Sequence, residues 1–235
     1  MSFRLEQEFA IFEFNDGKVN VLGHKLIEQF HGALDKAESQ AKALVIFGRE
    51  GVFSAGFDLE EIKKGGDEAL ALVNKGAELF HRMFEFPKPL IAGCAGHAVA
   101  AGAFLLLSCD YRIGASGPFK FGLNETAIGM APLPVFGNEL ALNRLSPRFL
   151  TRAVIQSEMF SPEDALEAGF LDQVVAKDDL FESAKAKTLE LSSLPSIAYG
   201  KMKRDTRASS LERIKQSLQV RFSLASEQNL AEREK

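Results

Sequence analysis

The chain opens with alternating apolar and polar residues and continues with apolar positions at helical spacing. Over residues 3–14 the alternation has the period of a strand, and the turn signal Asn15-Asp16-Gly17 follows it. We therefore expect a β-hairpin at the N-terminus. Apolar positions recur at helical spacing from Leu22 onward and again over residues 67–86. Each of these predicted helices precedes a short apolar run typical of a buried strand, at 43–47 and at 90–92.

The repeated succession of helix and buried strand predicts the fold class. Parallel neighbouring strands need a crossover long enough to hold a helix, so the pattern indicates an α/β fold with a mainly parallel sheet. After Ser161-Pro162 the pattern is mostly helical. The last predicted helix carries an apolar stripe made of Leu211, Ile214, Leu218 and Phe222. This stripe packs either on the chain's own core or on another subunit.

Composition and charge narrow the classes of function. The 235 residues are 46% hydrophobic and 26% charged, which is typical of one globular domain. A net charge of −4 gives no general positive field for nucleic acid or an anionic membrane. The first ten residues lack the apolar run of a secretory signal, and we expect a soluble cytoplasmic protein. Cys94 and Cys109 lack the spacing of a zinc site or a disulfide framework, so no metal site is expected.

A glycine-containing turn is predicted over residues 51–58, between a strand and an acidic helix. Asp58 is a suitable N-cap for that helix. Gly56 adopts backbone angles that other residues avoid, so it can turn the chain and present the N–H of Phe57 to a cleft. Taken alone, such a turn is more often structural than functional.

A second segment rich in small residues, 92–110, leads from a strand into a very apolar helix. The first turn of a helix offers N–H groups without intrahelical partners. Small side chains at Ala100, Ala101 and Gly102 let a ligand atom approach the backbone closely. Tight packing is the alternative explanation for these small residues. The spacing is not that of a dinucleotide-binding fingerprint.

Taken together and in this order, the two segments resemble the oxyanion-hole stretches of the crotonase (enoyl-CoA hydratase/isomerase) superfamily, and the similarity extends over essentially the whole chain. The resemblance implies a crotonase-like ββα spiral core over 1–190. It also implies C-terminal helices over 191–235 that belong to the same domain and supply oligomer contacts. The N–H groups of Phe57 and Ala101 would be the oxyanion donors. Family members usually carry three glycines where this chain has Ala100-Ala101-Gly102, and a backbone donor does not require glycine.

Two further positions of the resemblance separate the reactions of the family. Hydratases have a glutamate three residues after the second donor, where this chain has Phe104. The family's other glutamate aligns with Glu125, in a run similar to that of short-chain Δ3,Δ2-enoyl-CoA isomerases. The resemblance therefore implies isomerisation in fatty acid degradation, with Glu125 removing a proton at C2 and returning it at C4. Taken alone, Glu125 is more simply a solvated surface carboxylate.

The resemblance also implies an acyl-CoA substrate, with coenzyme A as part of the substrate and no separate cofactor. The side chains and backbone expected to contact this substrate belong to Ala55, Asp58, Phe104, Val19, Val21 and Phe136. A homotrimer or a dimer of trimers is expected, without a nucleic acid or membrane partner. Four cations close together near the last helices either face coenzyme A phosphates or form a solvated helix face: Lys201, Lys203, Arg204 and Arg207.

Alternatives remain within and outside this family. Residual enoyl-CoA hydration, thioester hydrolysis and decarboxylation are the other crotonase reactions, and Phe104 argues against the first. A non-catalytic acyl-CoA-binding protein is the alternative of another class, and the presence of Glu125 argues against it. His97 either contacts the thioester or is a hydrogen-bonded structural histidine, and we assign it no catalytic role.

Overall fold

A computed structural model describes residues 1–130 and 132–233, with side chains described as far as Leu218. The strands are β1 (Ser2–Glu6), β2 (Phe9–Glu13), β3 (Ala43–Phe47), β4 (Gly51–Ser54), β5 (Leu90–Cys94), β6 (Gly96–Val99), β7 (Tyr111–Ala115), β8 (Phe121–Gly122) and β9 (Gln173–Val175). The helices are α1 (His24–Gln40), α2 (Leu59–Ile62), α3 (Gly66–Glu85), α4 (Ala101–Leu107), α5 (Val135–Arg144), α6 (Pro162–Ala168), α7 (Leu180–Ser192) and α8 (Ser196–Arg233). A π-helical turn covers Thr151–Ile155 and a 3-10 turn covers Lys177–Asp179.

The larger sheet has six strands in the order β1-β2-β3-β5-β7-β9. Every neighbouring pair is parallel except β1 and β2, which are antiparallel. The predicted α/β class with a mainly parallel sheet is therefore confirmed. Strands β3 and β5 are buried along their whole length, as expected for strands covered on both faces. Helices α1 and α3 provide the crossovers before β3 and β5.

The N-terminal hairpin exists, but its turn is not where the sequence pattern predicted it. Residues 3–14 do not form one strand, because the chain reverses at Gln7 and pairs Ser2 with Glu13. Gln7 has a φ of 55°, the left-handed conformation of a tight turn. The apolar positions Phe3, Leu5, Phe9 and Ile11 keep the period of a strand on both sides of Gln7, and this hides the reversal. The segment Asn15-Asp16-Gly17 ends β2 and carries the chain towards the second sheet instead.

The second sheet is small and parallel, with the order β4-β6-β8. Strands β4 and β6 lie inside the two glycine-containing segments, where the sequence predicted only turns. Both are four residues long and contain small residues, so neither has the apolar run that revealed β3 and β5. Their presence means that both segments are anchored in the same sheet.

Helix α8 packs against α3 and α5. Leu211 and Ile214 of the predicted stripe are buried and Leu218 packs on the same core, whereas Phe222 lies outside the described side chains. Among the described residues, the stripe thus covers the chain's own core. No helix in the described part of the chain is long and apolar enough to cross a membrane.

The four cations of α8 do not form one surface. Lys203 and Arg207 are buried and paired with the carboxylate of Asp110, at 2.7 Å and 3.0 Å. Lys201 and Arg204 are exposed. Neither alternative, a phosphate-binding group or a solvated helix face, therefore holds for all four cations, because Lys203 and Arg207 hold α8 to the core.

Candidate active site

Three segments of possible chemical importance follow the three strands of the small sheet. Because β4, β6 and β8 are parallel, their carboxyl ends lie at one edge. Phe57 follows β4, Ala101 follows β6, and Glu125 follows β8. The crevice outside the carboxyl ends of parallel strands is where α/β proteins commonly bind ligands. The topology thus brings the three predicted catalytic residues to one place.

The turn after β4 is held by a buried polar network. Asn20 is fully buried, and its Nδ2 donates to the carbonyl oxygens of Phe14 at 3.2 Å and Phe53 at 3.1 Å. The hydroxyl of Ser54 donates to the carbonyl of Asn20 at 2.7 Å and accepts from the N–H of Gly56 at 3.2 Å. Because buried polar groups without partners are costly, this satisfied network fixes the path of the chain before Phe57.

The N–H groups of Phe57 and Ala101 lie at the contact between the two segments. Gly56 has a φ of +100°, and a Cβ built on it would lie 3.3 Å from the backbone nitrogen of Ala101. The N–H of Leu22 donates to the carbonyl of Gly56, and the carbonyl of Leu22 accepts from the N–H of Asp58. The N–H of Phe57, between these two residues, takes no part in this pairing. Ala101 begins α4, where N–H groups have no intrahelical acceptor. Neither the N–H of Phe57 nor that of Ala101 donates a hydrogen bond to another described residue. Both are therefore free to donate to an oxyanion.

Ala100, immediately before the second donor, has a strained backbone. Its φ of 51° and ψ of −125° lie in a region that L residues with a Cβ rarely adopt. Hydrogen bonds hold it on both sides: its N–H donates to Gly122, and its carbonyl accepts from Ala103 and Phe104. Strain of this kind usually persists only where the surroundings determine the conformation completely. The departure from the family's three glycines therefore costs energy at Ala100 rather than at the donor itself.

Glu125 lies in a turn after β8 and is half-buried. The turn is fixed by a bond from the N–H of Met130 to the carbonyl of Glu125 at 2.8 Å and by one from the N–H of Ala127 to the Ser157 hydroxyl at 3.1 Å. One carboxylate oxygen, Oε2, is buried without a hydrogen-bond partner among the described residues. Burial raises the pKa of Glu125 above its ordinary value. Glu125 is thus not a solvated surface carboxylate.

A cavity of about 360 Å³ lies in front of these residues. Its lining includes six of the nine predicted site residues, namely Ala55, Phe57, Ala101, Phe104, Glu125 and Phe136. Glu125 is the one charged side chain in that lining within the described part of the chain, and the rest is mainly apolar. An apolar cavity with a few convergent polar groups and a perturbed carboxylate has the character of a substrate site.

The three other predicted site residues lie outside this cavity. Val19 is 44% exposed, and its carbonyl accepts from the N–H of Ala55 at 3.0 Å. Val21 and Asp58 line a neighbouring depression that also contains the carboxylates of Asp16 and Glu61. Asp58 caps α2, as its position before that helix predicted, and its carboxylate accepts from the N–H of Glu60. These residues adjoin the turn of the first donor but do not face Glu125.

His97 is bonded within the fold. Its Nδ1 accepts a hydrogen bond from the N–H of Lys120 at 3.0 Å, and its ring packs edge-on against Phe119. It does not line the cavity. The structural alternative for His97 is the one that the geometry favours.

The sequence did not reveal several residues of the site. Asn124 contributes a side-chain oxygen that is buried without a partner among the described residues, beside Glu125 in the cavity lining. Neighbouring helices and the loop after β8 supply apolar lining residues, namely Leu59, Ile62, Val73, Ile128 and Met130. The helical spacing of Val73 was visible in the sequence, but nothing local showed that it faces a cavity.

Comparisons with known proteins find relatives that match most of the chain. The family model described as enoyl-CoA hydratase/isomerase matches residues 5–234. A probable enoyl-CoA hydratase of Bacillus subtilis is 31% identical over 80% of this chain and 74% of its own. The mitochondrial enoyl-CoA delta isomerase 1 of Rattus norvegicus is 29% identical over 81% of this chain and 67% of its own.

A solved structure is also similar to this chain. The crystal structure of an enoyl-CoA hydratase/isomerase family protein from Pseudomonas syringae has a TM-score of 0.90 and 41% identity, and it covers 93% of this chain and 94% of its own. The parallel sheets and C-terminal helices described above match that fold. The chain therefore belongs to the enoyl-CoA hydratase/isomerase family, the crotonase superfamily that its two small-residue segments resemble.

Proposed function

We propose that the protein isomerises 3-enoyl-CoA thioesters to the conjugated 2-enoyl-CoA thioesters, with Glu125 as the single acid/base. One observation carries the choice of reaction. Glu125 is the one charged group in the described cavity lining. Phe104 belongs to the same lining and stands where the resemblance implies a second glutamate in hydratases. A single carboxylate suffices for isomerisation because the same group removes and returns the proton.

In the proposed reaction, the Glu125 carboxylate takes a proton from C2 of the substrate. The electron pair left at C2 delocalises into the thioester carbonyl and the C3–C4 double bond, giving a dienolate. Glu125 then gives the proton to C4, and the double bond moves to C2–C3, so substrate and product have the same composition. Burial of Glu125, which raises its pKa, makes its carboxylate a stronger base for the first step.

The N–H groups of Phe57 and Ala101 are the proposed donors to the dienolate oxygen. Their segments are in contact, and neither donates elsewhere among the described residues. Loss of one such donor typically lowers a rate by roughly 10²–10³-fold. Because both donors are backbone groups, side-chain substitution cannot remove them, and Glu125 is the residue to test.

The test follows 3-hexenoyl-CoA and, separately, 2-hexenoyl-CoA with the purified wild type, Glu125→Gln and a matched control, Glu28→Gln. Glu28 is exposed on α1 and is not one of the lining residues. We expect conversion of the first substrate by the wild type and by the control, a loss of at least about 10²-fold in Glu125→Gln, and no appreciable hydration of the second substrate. Equal isomerisation by wild type and Glu125→Gln would exclude the mechanism.

Hydration is a second candidate because of Asn124. Its buried side-chain oxygen lies in the same lining as the buried oxygen of Glu125, and a pair of acceptors is able to hold a water molecule. The 2-hexenoyl-CoA arm of the test decides between the two reactions. Hydration that is lost in both Glu125→Gln and Asn124→Leu would identify the protein as a hydratase.

A further inference from the structure

Three phenylalanine rings form a wall at the buried side of the cavity. Phe104 and Phe136 line the cavity and are each 2% exposed, and Phe80 packs behind them without any exposure. The ring centroids of Phe104 and Phe136 are 5.4 Å apart. The ring centroid of Phe80 lies 5.9 Å from that of Phe104 and 5.2 Å from that of Phe136. The three rings come from α3, α4 and α5 and contact one another, so each supports the other two.

This wall has no room to retreat. A Cβ built on Gly137 would lie 2.7 Å from Cζ of Phe104, so that ring already fills the space above the backbone of α5. The ring of Phe57 extends the wall and packs in the same way on Gly76 of α3, where a Cβ would lie 2.4 Å from it. Close-packed interiors resist such displacement. A ligand that reaches these rings therefore meets a rigid boundary.

The residues at the mouth of the cavity are exposed, in contrast to the buried rings. Leu59, Ile128 and Met130 belong to the same lining but are 53%, 51% and 38% exposed. Coenzyme A is large and carries phosphates, so it has to stay on the open side. An acyl group attached to it enters past Glu125 and points towards the buried rings.

The wall, rather than the volume of about 360 Å³, limits what fits inside the cavity. The thioester and carbons C2 to C4 have to occupy the part beside Glu125. The acyl chain beyond C4 then extends only as far as the rings of Phe104 and Phe136.

We infer that Phe104 and Phe136 are specificity-determining residues that restrict the substrate to short acyl chains. Phe104 thus has a second role besides replacing a carboxylate. The inference rests on the proposed acyl-CoA substrate, but it does not depend on which reaction follows binding.

The test measures binding without turnover. Saturated butanoyl-, hexanoyl-, octanoyl- and decanoyl-CoA have no double bond to move, and their affinities are measured by isothermal titration calorimetry. For the wild type we expect decanoyl-CoA to bind at least tenfold more weakly than hexanoyl-CoA, since a poorly fitting methylene changes selectivity by about 10–200-fold. In Phe104→Leu and in Phe136→Leu the preference should move to longer chains, with a gain of about tenfold for decanoyl-CoA.

Phe30→Leu is the matched control. Phe30 belongs to α1, is 1% exposed and packs against Phe12 and Phe14; it is not part of the cavity lining. Phe30→Leu removes the same atoms from the core as the two wall variants do. We expect it to keep the wild-type order of affinities for the four acyl-CoA ligands. Thermal unfolding of all variants establishes that they are folded at the temperature of the titration.

The outcomes separate this inference from the proposed reaction. A wild type that prefers short chains, with the preference shifted only in the two wall variants, supports the inference even if 3-hexenoyl-CoA is not isomerised. A wild type that binds decanoyl-CoA as tightly as hexanoyl-CoA overturns it, even if isomerisation is observed. An identical shift in Phe30→Leu would also overturn it, because the effect would then come from general loosening of the core.

Discussion

Replacing Asp110 by asparagine should destabilise the protein far more than replacing an exposed aspartate. The side chain of Asp110 is 7% exposed, and its carboxylate contacts Lys203 at 2.7 Å and Arg207 at 3.0 Å. It also accepts a hydrogen bond from the N–H of Leu90 at 2.9 Å. Asparagine keeps the shape, removes the charge and turns an amide towards one of these donors. Two buried cations then lose their counter-charge.

The expected size follows from what is left unpaired. Breaking a buried ion pair by removing one partner costs about 3–5 kcal/mol, against a total unfolding free energy of roughly 5–15 kcal/mol for a typical protein. For a chain of this length that corresponds to a fall in melting temperature of roughly 6–20 °C. Asp35→Asn is the matched control, because Asp35 forms an ion pair with Arg82 but its side chain is 68% exposed. An exposed pair contributes about 0–1 kcal/mol.

Urea unfolding of the wild type and both variants at one fixed protein concentration measures these differences. Burial alone would raise the pKa of Asp110, but Lys203 and Arg207 outweigh it and hold the pKa below its ordinary value. A depressed pKa stabilises the fold above the unfolded pKa of about 3.9 and loses that effect as the pH falls through the folded value. The difference in unfolding free energy between wild type and Asp110→Asn should therefore be at its full size at pH 7 and decrease below pH about 4. If Asp110→Asn and Asp35→Asn were equally stable at pH 7, the structural role assigned to the buried network would be wrong.

Two further predictions concern the site. The isomerase rate should rise with pH through a midpoint above the ordinary glutamate pKa of about 4.3, because the carboxylate form of Glu125 is the base and burial raises its pKa; a pH–rate profile with its acid limb at or below that value would contradict this. Gly102→Ala should cost about 1–3 kcal/mol of stability and lower activity further, because its Cβ would lie 2.2 Å from the carbonyl oxygen of Ser54 and would push Ala101 out of place. Gly32→Ala on α1, where a Cβ meets nothing within 4 Å, is its control in unfolding and rate measurements.

The sequence predicted those parts of the fold that depend on local periodicity. Helix α1 and strands β3 and β5 have long or uninterrupted apolar patterns, and the structure places them within a few residues of the prediction. Strands β4 and β6 have four residues each and small side chains, so no local pattern distinguishes them from turns. They form because β4 pairs with β6 and β6 pairs with β8, which is a tertiary effect.

The candidate site shows the same division. Glu125, Phe57 and Ala101 were identified through short motifs, each located just after a strand end. Asn20 and Ser54, which fix the turn before Phe57, act through contacts with residues more than 30 positions away in the chain. Such partners have no fixed spacing, so a single sequence does not reveal them.

The basic residues of α8 show why the charge pattern alone did not reveal which cations are buried. Arg207 donates to the carbonyl of Phe84 near the end of α3, and Arg144 donates to the carbonyl of Cys109 just beyond the end of α4. Carbonyl groups at the ends of helices lack intrahelical donors and carry partial negative charge, so they attract cations. Helix ends thus balance part of the positive charge around Asp110. Spacing along α8 showed that the cations are close together, but not that half of them point inward.

Ala100 is the point at which local preference and the requirements of the site conflict. Its φ of 51° would suit glycine, and strain of this kind costs about 1–3 kcal/mol. Its Cβ lies 3.1 Å from where a Cβ of Gly56 would stand, so one of the two segments has to carry glycine for them to approach. This chain places that glycine at Gly56 and keeps alanine at 100, held by hydrogen bonds from both sides. Because Ala101 follows directly, the orientation of its N–H depends on that strained conformation being maintained, and the packing of β4, β6 and α4 around Ala100 maintains it.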